Sequence, residues 1–343
     1  MLEGHGDDSY RYFAIKADFS SNVLFGDLNK ELAAHLRQRI GSVTHYPEPG
    51  ADKLQQRAAG VYGVAPEQVL VTNGATEAIY LITQTFRRDV AAAVVIGPTF
   101  VEYRDACHLH GIGIIFTEWG DVKEHGYDLA GLFFVCNPNN PTGKAIPVER
   151  LLRLFANNPG TVFVVDESYI EFTLSTESVI PYLHAFSNVI VLRSLTKSCR
   201  IPGLRVGFAI GNEANILRLR QNKMPWSVNQ LAIEAGLHIL EHRNDFAVPV
   251  RQLLAATSIW QEQLQTATGW RIFETDTHFF LGETPETFTA ADLKQHLIRN
   301  HGLLIRNAEN FGFNPRYFRV ACQTPENNQS LTEALHECAL NGL

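Results

Sequence analysis

Between about Glu67 and Gly211, six short apolar runs alternate with longer segments, and this alternation limits the fold more than any other feature of the chain. The runs are VLVT from Val69, AAVVI around Val94, IGIIF around Ile114, LFFVC from Leu132, TVFVVD from Thr161 and VIVLRS from Val189. Each is apolar on both alternating faces and rich in β-branched residues, as strands covered on both sides must be. Between several of them lie stretches with helical spacing of apolar residues, such as TEAIYLITQTF and VERLLRLFANN. Buried strands separated by helix-length connections predict an α/β fold with a mostly parallel sheet between two helix layers.

After Met224 the pattern changes. The run NQLAIEAGLHILEHRNDFAVPVRQLLAATSIWQEQLQ reads as long helices, followed by the strands HFFLGE and YFRVA with the helix ADLKQHLIRN between them. That mixed order predicts a smaller α+β domain, to which the first forty residues also belong. A chain of 343 residues exceeds the size at which one core usually stops growing. The expected division is a large domain over 41–240 and a small one made of 1–40 and 241–343.

Composition removes several classes of function. With 45% hydrophobic and 19% charged residues the chain is ordinary globular material, and no apolar run reaches the roughly 20 residues a membrane span needs. The start, MLEGHGDDSYRYF, lacks the basic and then apolar order of a secretory signal, so a soluble, cytoplasmic protein is expected. A net charge of −7 with interspersed signs argues against nucleic acid as a partner, while leaving room for small anionic substrates. The cysteines Cys107, Cys136, Cys199, Cys322 and Cys338 are scattered and lack paired spacing, so neither a disulfide framework nor a metal site is expected.

Four segments carry the candidate chemistry: VTNGATEAIY, VCNPNNPTG, VVDESYIEF and VLRSLTKSCRIPGLRVGF. Each follows an apolar strand, so in a parallel sheet their polar ends emerge at one edge, where open α/β sheets bind ligands. Gly74, Ala75 and Thr76 open a helix whose N–H groups could cradle a phosphate, or could simply be a capped helix start. PNNPTG by itself is a turn. Asp166 closes a buried strand, where a carboxylate needs either a cationic partner or a turn to cap. Lys197 lies among cations that would favour a neutral, nucleophilic amine, although a lone lysine is more often surface charge.

Taken in series, PNNPTG, DESY and SLTK with GLRVG resemble the aminotransferase class I/II family, enzymes of fold type I that use pyridoxal 5′-phosphate, and the resemblance spans essentially the whole chain. It implies that Lys197 holds the cofactor as a Schiff base and later moves protons at the substrate α-carbon, while Asp166 pairs with the pyridine nitrogen. It further implies that Asn140 and Tyr169 bond the ring's phenolic oxygen and that Phe100, in GPTFVEY, stacks on the ring. The phosphate would rest on Gly74, Ala75, Thr76, Ser194 and Arg205. Tyr46, in HYPEPG, matches a tyrosine that reaches the partner subunit's cofactor, which implies a homodimer with shared active sites. Arg319, in YFRVA, matches the arginine that grips the substrate α-carboxylate, and Arg306, in LLIRNAENF, one found where substrates carry phosphate.

Two branches of the family act on phosphorylated substrates: histidinol-phosphate aminotransferase and the threonine-phosphate decarboxylase of cobalamin synthesis. ADFSSNVLFG, KMPWSVN and RYFRVA resemble the second, and GHGDD puts His5 where that branch has an N-terminal histidine near the substrate phosphate, with Asn22 also expected to bind substrate. Tyr169 instead matches the aminotransferase branch, and Cys199-Arg200 departs from the aromatic residue usual after the lysine. The resemblance thus implies decarboxylation of threonine phosphate, with the aminotransferase as alternative and a binding protein that keeps the cofactor without turnover as a third reading.

Overall fold

The computed structural model describes residues 8–127 and 131–343. Among them are thirteen strands: β1 Ala17–Asp18, β2 Val69–Thr72, β3 Ala92–Gly97, β4 Gly113–Glu118, β5 Gly131–Cys136, β6 Val162–Asp166, β7 Val189–Ser194, β8 Gly207–Gly211, β9 Arg271–Ile272, β10 Phe279–Glu283, β11 Leu303–Leu304, β12 Arg306–Asn307 and β13 Tyr317–Ala321. Seven form one sheet in the order β2-β8-β7-β6-β5-β3-β4. The pairings from β7 through β4 are parallel, and β8 runs antiparallel to both β2 and β7. A second sheet, β12-β13-β10-β9, is antiparallel, and β1 pairs in parallel with β11.

All six apolar runs are strands of the large sheet, and side-chain alternation explains why each is apolar throughout. Val69, Val71, Phe133, Val135, Phe163 and Val165 enter one buried cluster, whereas Leu70, Leu132, Phe134 and Val164 enter another on the opposite face. The edge strand β4 departs from this, since Ile115 and Phe116 are at least half exposed at the end of the sheet. The antiparallel strand β8 was not evident as a strand, because its sequence GFAIG begins and ends in glycine. Packing requires both glycines: a Cβ would lie 2.8 Å from the Arg193 carbonyl at Gly207 and 2.9 Å from the Val189 carbonyl at Gly211.

The helical run after Met224 is two helices, Gln230–Glu241 and Val250–Thr268, with a short turn at Arg243–Phe246 between them. Pro249 sets the break, because a proline is tolerated at a helix start and not within one. Trp260, Leu264, Phe280, Phe318 and Leu331 build a separate core against the smaller sheet. Among the described residues no helix is long and apolar enough to cross a membrane.

Candidate active site

The carboxyl ends of the central strands converge by register. Cys136 on β5 pairs with Asp166 on β6, Asp166 pairs with Leu192 on β7, and Ser194 and Thr72 both pair with Gly207. The loops leaving these positions enclose two adjoining cavities, of about 90 and about 450 Å³. Phe100, Asn140, Tyr169, Lys197 and Arg205 line both. Ala75, Thr76, Asp166 and Ser194 line the smaller one, and Asn22, Arg306 and Arg319 the larger. Residues from seven separate segments of sequence are thus brought into one crevice at the sheet edge.

Asp166 lies at the floor of the smaller cavity, 4% exposed. Its Oδ1 accepts bonds from the Ser168 backbone N–H (2.9 Å) and hydroxyl (2.6 Å), and its Oδ2 accepts one from the Tyr103 hydroxyl (2.8 Å). The two readings of Asp166 therefore coexist: it organises the following turn and faces the cavity. Burial pushes its carboxyl up, while the Ser168 and Tyr103 donors and the charge of Lys197 pull it back. Neither Ser168 nor Tyr103 stood out in the sequence. Tyr103 sits on a helix one turn after Phe100, with nothing local to link it to a carboxylate 63 residues away.

At the other end, the helix Gly74–Phe86 begins beside Arg205. Gly74 has φ +74°, and a Cβ there would stand 2.6 Å from the Arg205 guanidinium. Glycine thus lets the arginine lie directly over the helix start, next to the N–H groups of Ala75 and Thr76. Ser194 shares a 2.7 Å hydroxyl contact with Thr196, and a Cβ at Gly207 would come within 2.9 Å of the Ala75 nitrogen. A helix N-terminus, a guanidinium and a serine in one corner are a donor set that suits an anion.

The loop NPNNPTG, from Asn137 to Gly143, divides its work. Asn137 exchanges two bonds with the Ile146 backbone, and Asn139 accepts from Thr99 and donates to the Pro98 carbonyl, which fixes the segment that carries Phe100. Asn140 accepts from Arg319 at 2.5 Å. The same guanidinium donates to the Ser20 carbonyl at 2.5 Å, and its buried Nε has no protein partner.

Arg306 and Arg319 are cross-strand neighbours, paired directly in the β12–β13 register, and are 5% and 4% exposed. Burial depresses the basicity of both, and at Arg306 the charge of Arg319 adds to the effect. Asp8 opposes this at Arg306, and Tyr169 and Asp18 oppose it at Arg319. Both guanidiniums also lie over the Phe311 ring, at 5.1 and 5.8 Å. Two buried like charges placed opposite each other work against folding; Arg306 donates to Asn310 at 2.8 Å, and an anion between the two guanidiniums would offset the repulsion.

Asn22 is 3% exposed and lines the larger cavity beside the Tyr169 hydroxyl, without a well-aligned bond from its own amide. Its carbonyl accepts from Nε2 of the fully buried His278 (3.2 Å), whose ring stacks on Phe172 at 4.1 Å. Burial pushes the His278 imidazole down to about 3, and the charges of Arg319 and Lys197 act in the same direction. The unfolded chain therefore takes up this proton below about pH 6.5, whereas the native chain refuses it until about pH 3. Stability from the neutral ring is complete above pH 6.5 and falls as pH drops through that window. His278→Gln is expected to flatten the fall of melting temperature between pH 6.5 and 4. An unchanged slope would show that other groups set the acid limb.

Tyr46 is 86% exposed and its own chain does not bring it to the cavity. It packs against Trp226 at 5.4 Å between ring centres, close to the exposed Ile40, Val43 and Met224. His5 lies outside the described residues. The five cysteines are all buried, and Cys136 lines the smaller cavity.

Comparison with known proteins gives the same family. The sequence pattern of aminotransferase class I and II matches residues 14–335. The histidinol-phosphate aminotransferase of Desulfitobacterium hafniense (strain Y51) is 31% identical over 88% of this chain and 87% of its own. The adenosylcobalamin biosynthesis bifunctional protein CobDQ of Leptospira interrogans is 28% identical over 92% of this chain and 38% of its own. The crystal structure of L-threonine-O-3-phosphate decarboxylase from Porphyromonas gingivalis superposes with a TM-score of 0.88 at 34% identity, covering 92% of this chain and 97% of that one. The match over nearly the full length, on a fold whose strand ends gather an amine, a buried carboxylate and donors that suit an anion, shows that the chain belongs to the aminotransferase class I and II family of pyridoxal-phosphate-dependent enzymes.

Proposed function

We propose that this enzyme removes carbon dioxide from a small amino acid bearing a phosphate ester, L-threonine O-3-phosphate, to give aminopropanol phosphate. The observation that carries the reading is the pair of buried arginines on neighbouring strands facing one cavity. A substrate with a carboxylate and a phosphate on adjacent carbons supplies an anion to each. The likeness to the Porphyromonas gingivalis decarboxylase supports the same choice.

The site fits the cofactor. Asp166, buried and held by Ser168 and Tyr103, suits a protonated ring nitrogen, and the corner of Gly74, Ala75, Thr76, Ser194 and Arg205 suits a phosphate. Phe100 would cover a ring face, and Asn140 and Tyr169 would face the phenolic oxygen. When bound, pyridoxal phosphate supplies an electron-accepting ring that stabilises negative charge at a substrate α-carbon. The protein decides which α-carbon bond yields, because the bond held perpendicular to that ring is weakened. Arg319 grips the carboxylate with the N–H groups not already committed to Asn140 and Ser20, and Arg306 anchors the phosphate so that the substrate cannot rotate. The bond between α-carbon and carboxylate breaks, carbon dioxide leaves, and Lys197 delivers a proton to the α-carbon.

A second reading, amino transfer from histidinol phosphate, has a specific observation in its favour: Tyr169 is the residue typical of that branch, and the Desulfitobacterium relative carries that name. Offering the purified enzyme threonine phosphate and histidinol phosphate separately discriminates the two. Carbon dioxide from the first and no amino transfer from the second is expected. Rapid transfer from histidinol phosphate to 2-oxoglutarate, without carbon dioxide from threonine phosphate, would overturn the decarboxylase and leave the cofactor assignment standing.

A further inference from the structure

The carboxylate of Asp166 is held at both oxygens, and the second hold comes from a separate helix, through the Tyr103 hydroxyl. Ser168 occupies Oδ1 through its N–H and its hydroxyl, as expected of a turn that follows a strand. On that anchor alone the carboxylate plane could still turn about its last side-chain bond. The Tyr103 hydroxyl, donating to Oδ2 at 2.8 Å, removes this freedom. Tyr103 itself is rigid. It is 1% exposed, its ring stacks on Phe134 at 5.3 Å with the planes 17° apart, and it meets Phe100 edge-on at 5.8 Å. One short segment, from Phe100 to Tyr103, therefore carries both a wall of the cofactor cavity and the second anchor of its carboxylate.

We propose that Tyr103 is a positioning residue for the cofactor: its hydroxyl fixes the plane of the Asp166 carboxylate and keeps it anionic, and so sets the strength of the pairing with the ring nitrogen. The proposal rests on the reading that Asp166 faces that nitrogen. A donor to a carboxylate favours its charged form, and a charged Asp166 favours the protonated nitrogen that makes the ring a strong electron acceptor. Tyr103 lines the smaller cavity at its Asp166 end, and its hydroxyl is committed to that carboxylate, so the proposed effect passes through Asp166.

The test is the preference of the cofactor-stripped full chain for pyridoxal phosphate over deazapyridoxal phosphate, the analogue with carbon in place of the ring nitrogen, measured as two dissociation constants by quenching of tryptophan fluorescence. Tyr103→Phe keeps the ring and removes the hydroxyl. It is expected to shrink the preference about 10-fold, the scale of one hydrogen bond to a charged group, while affinity for the analogue stays within about twofold. Asp166→Asn should abolish the preference. If Asp166→Asn abolishes it and Tyr103→Phe leaves it intact, or weakens both ligands equally, the tyrosine is packing only and the proposal is wrong. If Asp166→Asn itself leaves the preference intact, the nitrogen pairs elsewhere and both the proposal and the reading beneath it fall. Should Tyr103→Phe not fold, Ser168→Ala probes the same clamp from the other oxygen, and an unchanged preference there overturns it.

Discussion

Lys197→Ala is expected to lower turnover by roughly 10⁴-fold or more, because we propose this lysine both as the covalent anchor for the cofactor and as the group that moves the α-carbon proton. The cavity lining argues for this lysine over any other. Lys197 lines both compartments, on the loop that leaves β7, and its backbone carbonyl is fixed by a bond from Leu24 N–H at 3.1 Å. Lys223, the nearest rival in the sequence, is held by Ser227 at 2.6 Å and lines neither compartment. Borohydride reduction followed by peptide mass mapping should place the cofactor on Lys197, and a label on Lys223 would sink the assignment. The same variant tests the shared site. Tyr46 is exposed in its own chain beside Trp226, and we propose that it reaches the partner's site across a homodimer interface. Mixing Lys197→Ala protomers with Tyr46→Ala protomers is expected to restore part of the activity, since one hybrid site is then intact. Heterodimers that form and remain inactive would remove Tyr46 from the partner's site.

The difference between Lys197 and Tyr103 shows what a sequence displays and what it hides. Asp166 ends an apolar strand, and Lys197 and Asn140 stand in loops that directly follow such strands, so the strand pattern by itself predicts that they share an edge. The α/β sheet was legible for the same reason: each of its covered strands must be apolar on both faces, and that leaves a continuous run. Strand β8 was hidden because close packing replaced side chains with glycine at both its ends. Tyr103 and Ser168 were hidden because their roles depend on where a hydroxyl points. A tyrosine on an amphipathic helix looks like core until a carboxylate is found 2.8 Å away. The Arg306–Arg319 pairing was hidden by register. Twelve residues, a turn among them, lie between the two, and a slip of one residue in an antiparallel pair would put their side chains on opposite faces.

That register gives the prediction with the most chemical content. If Arg306 holds the distal phosphate, Arg306→Ala should reduce kcat/KM for threonine phosphate by roughly 10²- to 10³-fold, the scale of about 3–4 kcal/mol for truncating one partner of a buried charge pair. Unphosphorylated threonine, which never engages Arg306, should change by about threefold or less, so the wild-type preference between the two substrates collapses. Arg319→Ala should instead lower both by comparable factors. Both substrates carry the α-carboxylate, and its orientation decides which bond stands perpendicular to the cofactor ring. The loss should appear mainly in kcat, because a carboxylate free to rotate still binds but is seldom aligned for departure. Arg319 also supports Asn140 and the Ser20 carbonyl, so Arg319→Lys provides a control that keeps the charge and loses the fork. Charge without geometry should recover part of the binding and little of the turnover. Histidinol phosphate has no carboxylate, and an enzyme built for it would show a different pattern: Arg319→Ala would cost carboxylate recognition nothing. Equal losses for threonine and threonine phosphate in Arg306→Ala would place the phosphate away from β12 and leave Arg306 a structural role through its bond to Asn310.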